Sequence, residues 1–335
     1  MSSPLRTAIL GCGGIAGVHA AILSKLKEVK LVAYCDVRLE AANAFNHQYS
    51  AGKGAVYQDF REMLDKTGLD LLCICLPPFA HSDEVELAAE KNVNVFIEKP
   101  IALDMKTAER MVASVERSGV KSQVGFMFRF GEAVEVAKRM ISSGEAGKAG
   151  LFTARYFCNS LHAPWWRERE KSGGQVVEQV IHIYDVSRYL LGEVESAYCQ
   201  MDNAFHREVE KYTSEDASAT VLRFRNGALA TIAATNGAIP NRWISEYKLV
   251  AKNATFYFED ANNATIYHTD RGWNSETQIR SQKNAYEAEM LDLINAVKND
   301  AETRTPMIEG AKTLNLVLAV RRSAEEGKPV TLAPY

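Results

Sequence analysis

The chain has 335 residues, which is enough for two domains with substantial cores. Its composition, 47% hydrophobic and 24% charged, is ordinary for a globular enzyme or binding protein. The formal net charge of −3 gives no reason to expect nucleic acid or an anionic membrane as a partner. No apolar run approaches the roughly 20 residues of a membrane-spanning helix.

The N-terminal segment, MSSPLRTAIL, lacks the basic and apolar regions of a signal peptide, so we expect a cytoplasmic protein. The six cysteines are scattered along the chain and lack the spacing and companion ligands of a zinc site. We therefore expect free thiols and no bound metal.

The first third of the chain alternates strands and helices with short connections. Predicted strands cover residues 5–10, 29–35, 69–76, 92–97 and 120–126, and predicted helices cover residues 15–26, 39–49, 83–90 and 105–118. Asp104 is the expected N-cap of the last of these helices, and Gly119 is its expected left-handed terminator. This order predicts an α/β Rossmann domain with an open parallel sheet over residues 1–125.

The pattern changes after Arg129. A helix is predicted over residues 132–142, followed by longer alternating segments at residues 151–158, 194–201, 217–224, 228–234, 246–251 and 255–259. Asn226-Gly227 and Lys252-Asn253 indicate hairpin turns. Two amphipathic helices, at residues 284–299 and 308–325, close the chain. Residues 126–335 are therefore predicted to form an α+β domain with an antiparallel sheet.

A glycine-rich loop follows the first strand and opens the first helix. It spans Gly11, Cys12, Gly13, Gly14, Ile15 and Ala16, and it fits G-x-G-x-x-G/A with alanine in the third place. The glycines allow a tight turn and close approach of the backbone to a pyrophosphate, and the helix N-terminus offers free N–H groups. In this context the loop predicts dinucleotide binding.

Asp36 ends the second strand, roughly 20 residues beyond the loop, where a ribose-binding carboxylate is expected. A carboxylate there accepts hydrogen bonds from ribose hydroxyls and repels a 2′-phosphate, which favours NAD. Arg38 lies two residues later and could pair with such a phosphate, so NADP stays open as the alternative.

Four motifs in the first domain resemble the glucose–fructose oxidoreductase/inositol dehydrogenase/MocA family. They are the glycine loop, Leu76-Pro77-Pro78-Phe79-Ala80-His81, Glu98-Lys99-Pro100, and the stretch from Gly125 to Phe130. The second half adds Trp165-Trp166-Arg167, Ser172-Gly173-Gly174 and His182-Ile183-Tyr184-Asp185. The resemblance implies a dinucleotide-binding domain and a C-terminal α+β domain with a large open, mostly antiparallel sheet, which often forms the oligomer interface. A homodimer or homotetramer is expected.

The resemblance also implies an activity and its central residue. Family members mostly oxidise or reduce a secondary alcohol or ketone on a sugar, inositol or related polyol, using a nicotinamide cofactor. Lys99 then reaches the substrate oxygen, where an ammonium stabilises negative charge as hydride moves. Glu98 positions the cofactor or this lysine, and the bond from Lys99 to Pro100 is expected to be cis. Leu76, Pro77 and His81 are assigned to the cofactor site.

Residues 172–182 are predicted to lead from a loop into a helix that runs to Leu191. Glu178 and His182 are four residues apart and would share one face of that helix. An imidazole there can take the alcohol proton, and a neighbouring carboxylate can orient it. The family usually has aspartate at position 178 and a small residue at position 180, so the direct role of Glu178 stays open. Asp185 is expected to be a structural partner.

The remaining candidates line the predicted ligand pocket. Aromatic faces suit sugar C–H surfaces and nicotinamide, and arginine suits hydroxyl or carboxylate groups. One of Trp165 and Trp166 is expected to contact ligand and the other to pack. The candidate cofactor contacts include Trp166 and Arg167, and the candidate substrate contacts are Lys99, Arg129, Tyr156, Asn159, His162, Trp165 and His182. His19 is expected to be structural.

Two other activities stay open at this point. An NAD-dependent glycosidase would oxidise the sugar transiently, eliminate the leaving group and re-reduce the product, with no net reduced cofactor. A cofactor-sensing regulator would keep the fold without chemistry, although the presence of both Lys99 and His182 argues against it.

Overall fold

The protein is described by a computed structural model that covers residues 3–272 and 275–335. Within this part the chain forms two compact units. The first contains the residues up to Phe126 together with Tyr286–Ala311, and the second contains Met127–Ala285 and Lys312–Tyr335. The predicted division of the chain at residues 125/126 was contiguous. The observed division differs from it in one respect, because Tyr286–Ala311 returns to the first unit.

The first unit is built on a parallel sheet of six described strands in the order β3-β2-β1-β4-β5-β6. These strands are β1 (Leu5–Leu10), β2 (Val29–Cys35), β3 (Ala55–Tyr57), β4 (Leu71–Ile74), β5 (Asn94–Ile97) and β6 (Ser122–Val124). The predicted parallel Rossmann sheet is confirmed. The chain order reverses between β1 and β4, and in such sheets ligands bind beyond the carboxyl ends of the strands at this point.

The helices of the first unit follow the predicted alternation. They are α1 (Gly14–Leu23), α2 (Leu39–Ser50), α3 (Phe60–Lys66), α4 (Glu84–Glu90) and α5 (Met105–Ser118). Asp104 caps α5, because its Oδ1 accepts the backbone N–H of Thr107 at 2.9 Å, and Gly119 ends it with a φ of 73°. Both termini are as predicted. β3 and α3 were not predicted.

The second unit is built on a sheet of nine described strands in the order β14-β13-β12-β11-β7-β10-β9-β8-β15. The strands are β7 (Ala149–Phe157), β8 (Val194–Asp202), β9 (Ala217–Phe224), β10 (Leu229–Thr235), β11 (Ile244–Ala251), β12 (Ala254–Phe258), β13 (Ala264–His268), β14 (Glu276–Ile279) and β15 (Val330–Thr331). The β7–β10 pair is parallel and the other described pairs are antiparallel, which confirms the predicted mostly antiparallel sheet.

The remaining helices complete the two units. They are α6 (Glu132–Ser142), α7 (Pro164–Arg167), α8 (Arg169–Ser172), α9 (Gln175–Glu178), α10 (Ile181–Leu191), α11 (Ala285–Asn299) and α12 (Met307–Glu326). α11 buries Met290, Leu293 and Ile294 in the core of the first unit, which explains why the late segment belongs there. Among the described helices, we find none with both the length and the apolar character needed to cross a bilayer.

Candidate active site

The glycine loop lies at the carboxyl end of β1 and has the geometry of a phosphate cradle. Gly11 has a φ of 85°, and a Cβ there would lie 2.6 Å from the carbonyl oxygen of Cys75, so a side chain is excluded by both strain and space. Gly13 and Gly14 are exposed, and among the described residues a Cβ on either would have no neighbour within 4 Å. Gly13 caps α1 without a side-chain hydrogen bond, which leaves helix N–H donors for a ligand.

Asp36 follows β2 beside this loop. Its Oδ2 accepts the backbone N–H of Cys12 and its Oδ1 accepts that of Arg38, both at 2.8 Å. Each carboxylate oxygen keeps acceptor capacity for a hydroxyl. The Arg38 side chain is 69% exposed, and its Nε lies 3.5 Å from Oδ1 of Asp36. Burial, and then the charge of Asp36, raise the pKa of the Cys12 thiol to about 12, so the thiol is neutral at physiological pH.

These residues fit a dinucleotide. The open backbone at Gly13 and Gly14 leaves room for phosphates, and the start of α1, which also contains Ile15 and Ala16, provides uncapped donors. The nearly buried Asp36 carboxylate provides a hydroxyl acceptor held by two backbone N–H groups. The donor and acceptor set matches a pyrophosphate and a ribose diol.

Lys99 is half-buried and lies two residues beyond the end of β5, and its peptide bond to Pro100 is cis, as the resemblance implies. The preceding Glu98 is buried. Its Oε2 accepts the backbone N–H of Lys99 at 3.2 Å, and its Oε1 lies 2.7 Å from Nε2 of His19. A Cβ on Gly125 would lie 2.9 Å from Oε2, so the carboxylate is enclosed on that side. Glu98 thus holds the peptide of Lys99.

His19 was predicted to be structural, but its pairing with Glu98 was not predicted. It is fully buried in α1, and its ring contacts Phe96 at 4.7 Å and Tyr286 at 5.8 Å between centroids. No sequence signal links positions 19 and 98, because only the folded sheet brings α1 against the end of β5.

The predicted Leu76-to-His81 motif lies beyond β4 in the first unit. Leu76 and Pro77 are half-buried before a short 3₁₀ turn, Pro78–Ala80. Nδ1 of His81 lies 2.5 Å from Oε1 of Glu84, and both side chains are almost completely buried. Burial raises the pKa of Glu84. The hydrogen bonds from His81 and from the backbone lower it by more, so the pKa of this carboxyl lies below its ordinary value.

The helix predicted to carry both Glu178 and His182 is interrupted, which corrects the sequence analysis. Glu178 ends α9, and His182 lies in α10, which begins at Ile181. The backbone N–H of Val180 donates to the carbonyl of Gln175 at 3.0 Å, a wider turn than an α-helix makes. The two residues therefore do not share one face of a continuous helix.

Glu178 instead has an unpredicted partner. Its Oε2 accepts the indole N–H of Trp166 at 2.6 Å, and Trp166 is 2% exposed. His182 is buried in α10, with its ring 5.1 Å from that of Phe128 between centroids. Trp166 therefore packs inside the second unit, whereas Trp165 is half-buried.

Arg129 was predicted to contact substrate, but its guanidinium is engaged within the fold. It forms a buried, bidentate salt bridge with Asp185, at 2.6 and 2.8 Å. Asp185 also accepts the hydroxyl of Thr313 at 3.0 Å, as expected for a structural residue. Because Asp185 occupies the Nε–Nη2 edge of the Arg129 guanidinium and the pair is buried, this position argues against the predicted contact with substrate.

The other predicted pocket residues surround the loop between β7 and α7. Arg167 donates to the carbonyl oxygens of Leu161 and His162, at 2.9 and 3.2 Å, so it braces the loop backbone. Asn159 is exposed and donates to the carbonyl of Ala238 at 3.0 Å. Tyr156 is buried in β7.

His162 lies in this loop with neighbours that sequence reasoning missed. Its ring lies 4.5 Å from that of Trp166 and 5.5 Å from that of Trp243 between centroids. Nε2 of His162 lies 2.7 Å from Nε2 of Gln179. Trp243 is far from the motifs along the chain, and Gln179 lies between Glu178 and His182. Only the fold shows that both residues lie beside His162.

Two family models match this chain. One is described as the oxidoreductase family with an NAD-binding Rossmann fold and matches residues 5–126. The other is the C-terminal alpha/beta domain of the same family and matches residues 138–332. The chain belongs to this oxidoreductase family. The resemblance inferred from the glycine loop and from Glu98-Lys99-Pro100 is confirmed, and NAD is the cofactor of its first domain.

Similar proteins span essentially the whole chain. A myo-inositol 2-dehydrogenase of Thermotoga maritima is 25% identical over 98% of this chain and 98% of its own length. A scyllo-inositol 2-dehydrogenase (NAD⁺) of Bacillus subtilis is 28% identical over 99% of this chain and 97% of its own. The WlbA dehydrogenase of Bordetella pertussis, solved with NADH and UDP-GlcNAcA, is 24% identical, with a TM-score of 0.85 over 99% and 100% of the two chains. This last likeness is one of fold.

Proposed function

We propose that this oxidoreductase transfers hydride between NAD and a secondary alcohol or ketone of a sugar, inositol or related polyol. One observation carries the proposal. The glycine loop, the Asp36 carboxylate and Lys99 follow β1, β2 and β5, at the carboxyl edge of one parallel sheet. The substrate class rests on the inositol dehydrogenase names of the two relatives described above.

In this proposal the chain supplies charge and proton transfer. NAD, when bound, accepts or returns the hydride. Nζ of Lys99 hydrogen-bonds the substrate oxygen and stabilises negative charge on it. A ring nitrogen of His182 takes the hydroxyl proton during oxidation and gives it back during reduction. Glu178 acts with His182, either directly or by orienting it, through the carboxylate that Trp166 holds.

The proposed binding residues comprise cofactor contacts and substrate contacts. The cofactor contacts are Gly11, Gly13, Gly14, Ile15, Ala16, Asp36, Arg38, Leu76, Pro77, His81, Glu98, Lys99, Arg167 and Trp166, with Trp166 the weakest because it is buried and its indole N–H is bonded to Glu178. The substrate contacts are Lys99, Tyr156, Asn159, His162, Trp165 and His182, with Arg129 the weakest because of its buried salt bridge.

The test is a panel of sugars, polyols and glycosides with NAD or NADP, followed at the absorbance of reduced nicotinamide. Lys99→Met and His182→Asn are each expected to lower kcat by about 100-fold or more while NAD still binds, as is typical for loss of an electrostatic or acid–base group. Lys106→Met and His47→Asn, at exposed positions on α5 and α2, are matched controls. Full activity in either active-site variant would contradict the assigned role.

The same panel separates the other activities. Glycoside cleavage without net reduction of NAD would indicate the glycosidase route. Binding of NAD and sugar without turnover of any compound would indicate a regulator.

We also propose that the protein self-associates through the nine-stranded sheet in the cytoplasm. On one face of this sheet Leu229 pairs with Leu151, and Leu151 pairs with Val250, and all three side chains are exposed. Contiguous apolar surface of this kind is typical of an interface. The six free, buried cysteines suit a reducing compartment. Leu151→Lys is expected to reduce the mass measured by light scattering, and an unchanged mass would contradict this interface.

A further inference from the structure

The loop that follows β7 holds His162 in an unusual backbone conformation. Its φ is 53°, in the left-handed region that residues with side chains seldom adopt. Two contacts hold it there: Oγ of Ser160 accepts the backbone N–H of His162 at 3.1 Å, and Arg167 donates to the His162 carbonyl at 3.2 Å. Residues kept in such conformations are concentrated at ligand-binding and catalytic sites.

The imidazole of His162 forms part of an aromatic cluster with an exposed edge. Trp243 directly precedes β11, and its ring lies 5.5 Å from His162 and 6.0 Å from Tyr156 between centroids. Trp243 is 55% exposed although two aromatic rings support it. A large, rigid apolar surface is thus held open beside His162.

Gln179 adds a polar group to the same cluster. Its Nε2 lies 2.7 Å from Nε2 of His162, and the residue is 5% exposed. Its amide oxygen is buried and has no hydrogen-bond partner among the residues that the structure describes. Buried acceptors are rarely left without a donor, so this oxygen is suited to a hydroxyl from outside the chain.

We infer that Trp243, His162 and Gln179, here called the ring site, bind the ring of a cyclic sugar or polyol. The indole of Trp243 packs against the C–H face of the ring, and Oε1 of Gln179 accepts one ring hydroxyl. An open-chain polyol has no rigid apolar face and loses more conformational freedom when it binds, so the ring site favours cyclic substrates. This inference rests on the proposed function and narrows its substrate class.

The inference is tested with myo-inositol and methyl β-D-glucopyranoside as cyclic probes and sorbitol as the open-chain probe. Trp243→Ala is expected to raise KM for the cyclic probe that is turned over by about tenfold, in line with the loss of one aromatic packing contact. kcat and the KM for NAD stay within about twofold, because the contact is the same in ground and transition states. Trp243→Phe retains most of the affinity. Tyr335→Ala, at another exposed aromatic residue of the same unit, is the matched control.

A second measurement keeps the inference separate from the proposed function. Saturation-transfer NMR of the cyclic probes with the NAD-loaded protein reports binding without turnover, and we expect the signal to fall in Trp243→Ala. If the signal falls but no probe is turned over, the ring site stands and the proposed function fails. If probes are turned over but Trp243→Ala affects cyclic and open-chain probes equally, or affects neither, the ring site is wrong and the proposed function stands. Absence of any cyclic-probe signal in the wild type also overturns the ring site.

Discussion

The indole N–H of Trp166 donates a hydrogen bond of 2.6 Å to Oε2 of Glu178. Because α9 ends at Glu178 and α10 begins at Ile181, the carboxylate is oriented by this indole and not by a helix turn shared with His182. The tryptophan is buried, so the bond is shielded from water. If Glu178 assists proton transfer, the hydrogen bond from Trp166 fixes the orientation of its carboxylate.

Trp166→Phe keeps the apolar ring and removes the donor. We expect kcat to fall about tenfold, the effect of roughly 1.4 kcal/mol on the barrier, and the KM for NAD to change little. Combining the two changes tests the link, because Trp166→Phe should have almost no further effect in the Glu178→Gln background if the indole acts only through this carboxylate. Tyr257→Phe, at an exposed position on β12, is the control. Additive losses in the double variant would show that the two residues act independently.

Two glycines of the loop are expected to differ in role, since Gly11 is needed for folding and Gly13 for binding NAD. Gly11→Ala would place a Cβ 2.6 Å from a backbone carbonyl at a φ of 85°, so we expect the variant to be destabilised by about 2 kcal/mol or more. A Cβ added at Gly13 would meet no atom within 4 Å in residues 3–272 and 275–335. Gly13→Ala should therefore fold normally but bind NAD at least about tenfold more weakly, because its methyl group occupies the space for the pyrophosphate. Thermal unfolding and NAD titration distinguish the two. Tight NAD binding by Gly13→Ala would contradict the cradle.

The sequence predicts those elements whose signals are local. β1 and β2 have the predicted bounds, and α5 lies between the predicted cap Asp104 and the predicted terminator Gly119. By contrast, β3 is only three residues long and depends on pairing with β2, so it has no pattern of its own. β13 and β14 were missed for a related reason, since both are short and lie at one end of a sheet.

The residues of the candidate site also fall into two groups, those with a local sequence signal and those placed by tertiary packing. The glycine loop and Asp36 lie where their motif predicts, because each follows a strand that the sequence defines. The partners of Glu98 and Glu178 could not be predicted, because His19 and Trp166 reach them only through tertiary packing. The interruption between α9 and α10 was likewise hidden, since the spacing of residues 178 and 182 suits a continuous helix.

Asp36 is expected to determine the choice between NAD and NADP. Asp36→Asn keeps one acceptor and removes the charge that repels a 2′-phosphate, and it frees the exposed Arg38 from its pairing at 3.5 Å. We expect the ratio of kcat/KM for NAD to that for NADP to fall by about 10- to 100-fold, corresponding to roughly 1.5–3 kcal/mol for a charged hydrogen bond. Adding Arg38→Ala should abolish the gained activity with NADP. An unchanged ratio in Asp36→Asn would show that another group sets the preference.

The buried carboxyl of Glu215 is expected to make the free energy of unfolding depend on pH. It is buried in the second unit, where its Oε1 accepts the backbone N–H of Val176 at 2.7 Å. Its Oε2 has no hydrogen-bond partner within the described part of the chain, and a Cβ on Gly174 would lie 2.2 Å from it. Burial raises the pKa of this carboxyl above its ordinary value of 4.5, although backbone hydrogen bonds and two arginines act in the opposite direction.

Because the folded state holds this proton more tightly than the unfolded state, the contribution of Glu215 to stability is fully present below pH 4.5. It is lost as the pH rises through the raised pKa of the folded state. Glu215→Gln is neutral at every pH and keeps an acceptor for Val176. We therefore expect the free energy of unfolding of Glu215→Gln, relative to the wild type, to increase between about pH 4.5 and pH 8, as measured by urea denaturation. Glu210→Gln, at an exposed position, should show no such trend. A difference that is constant with pH, or that decreases, would mean that Glu215 is ionised in the folded protein throughout this range.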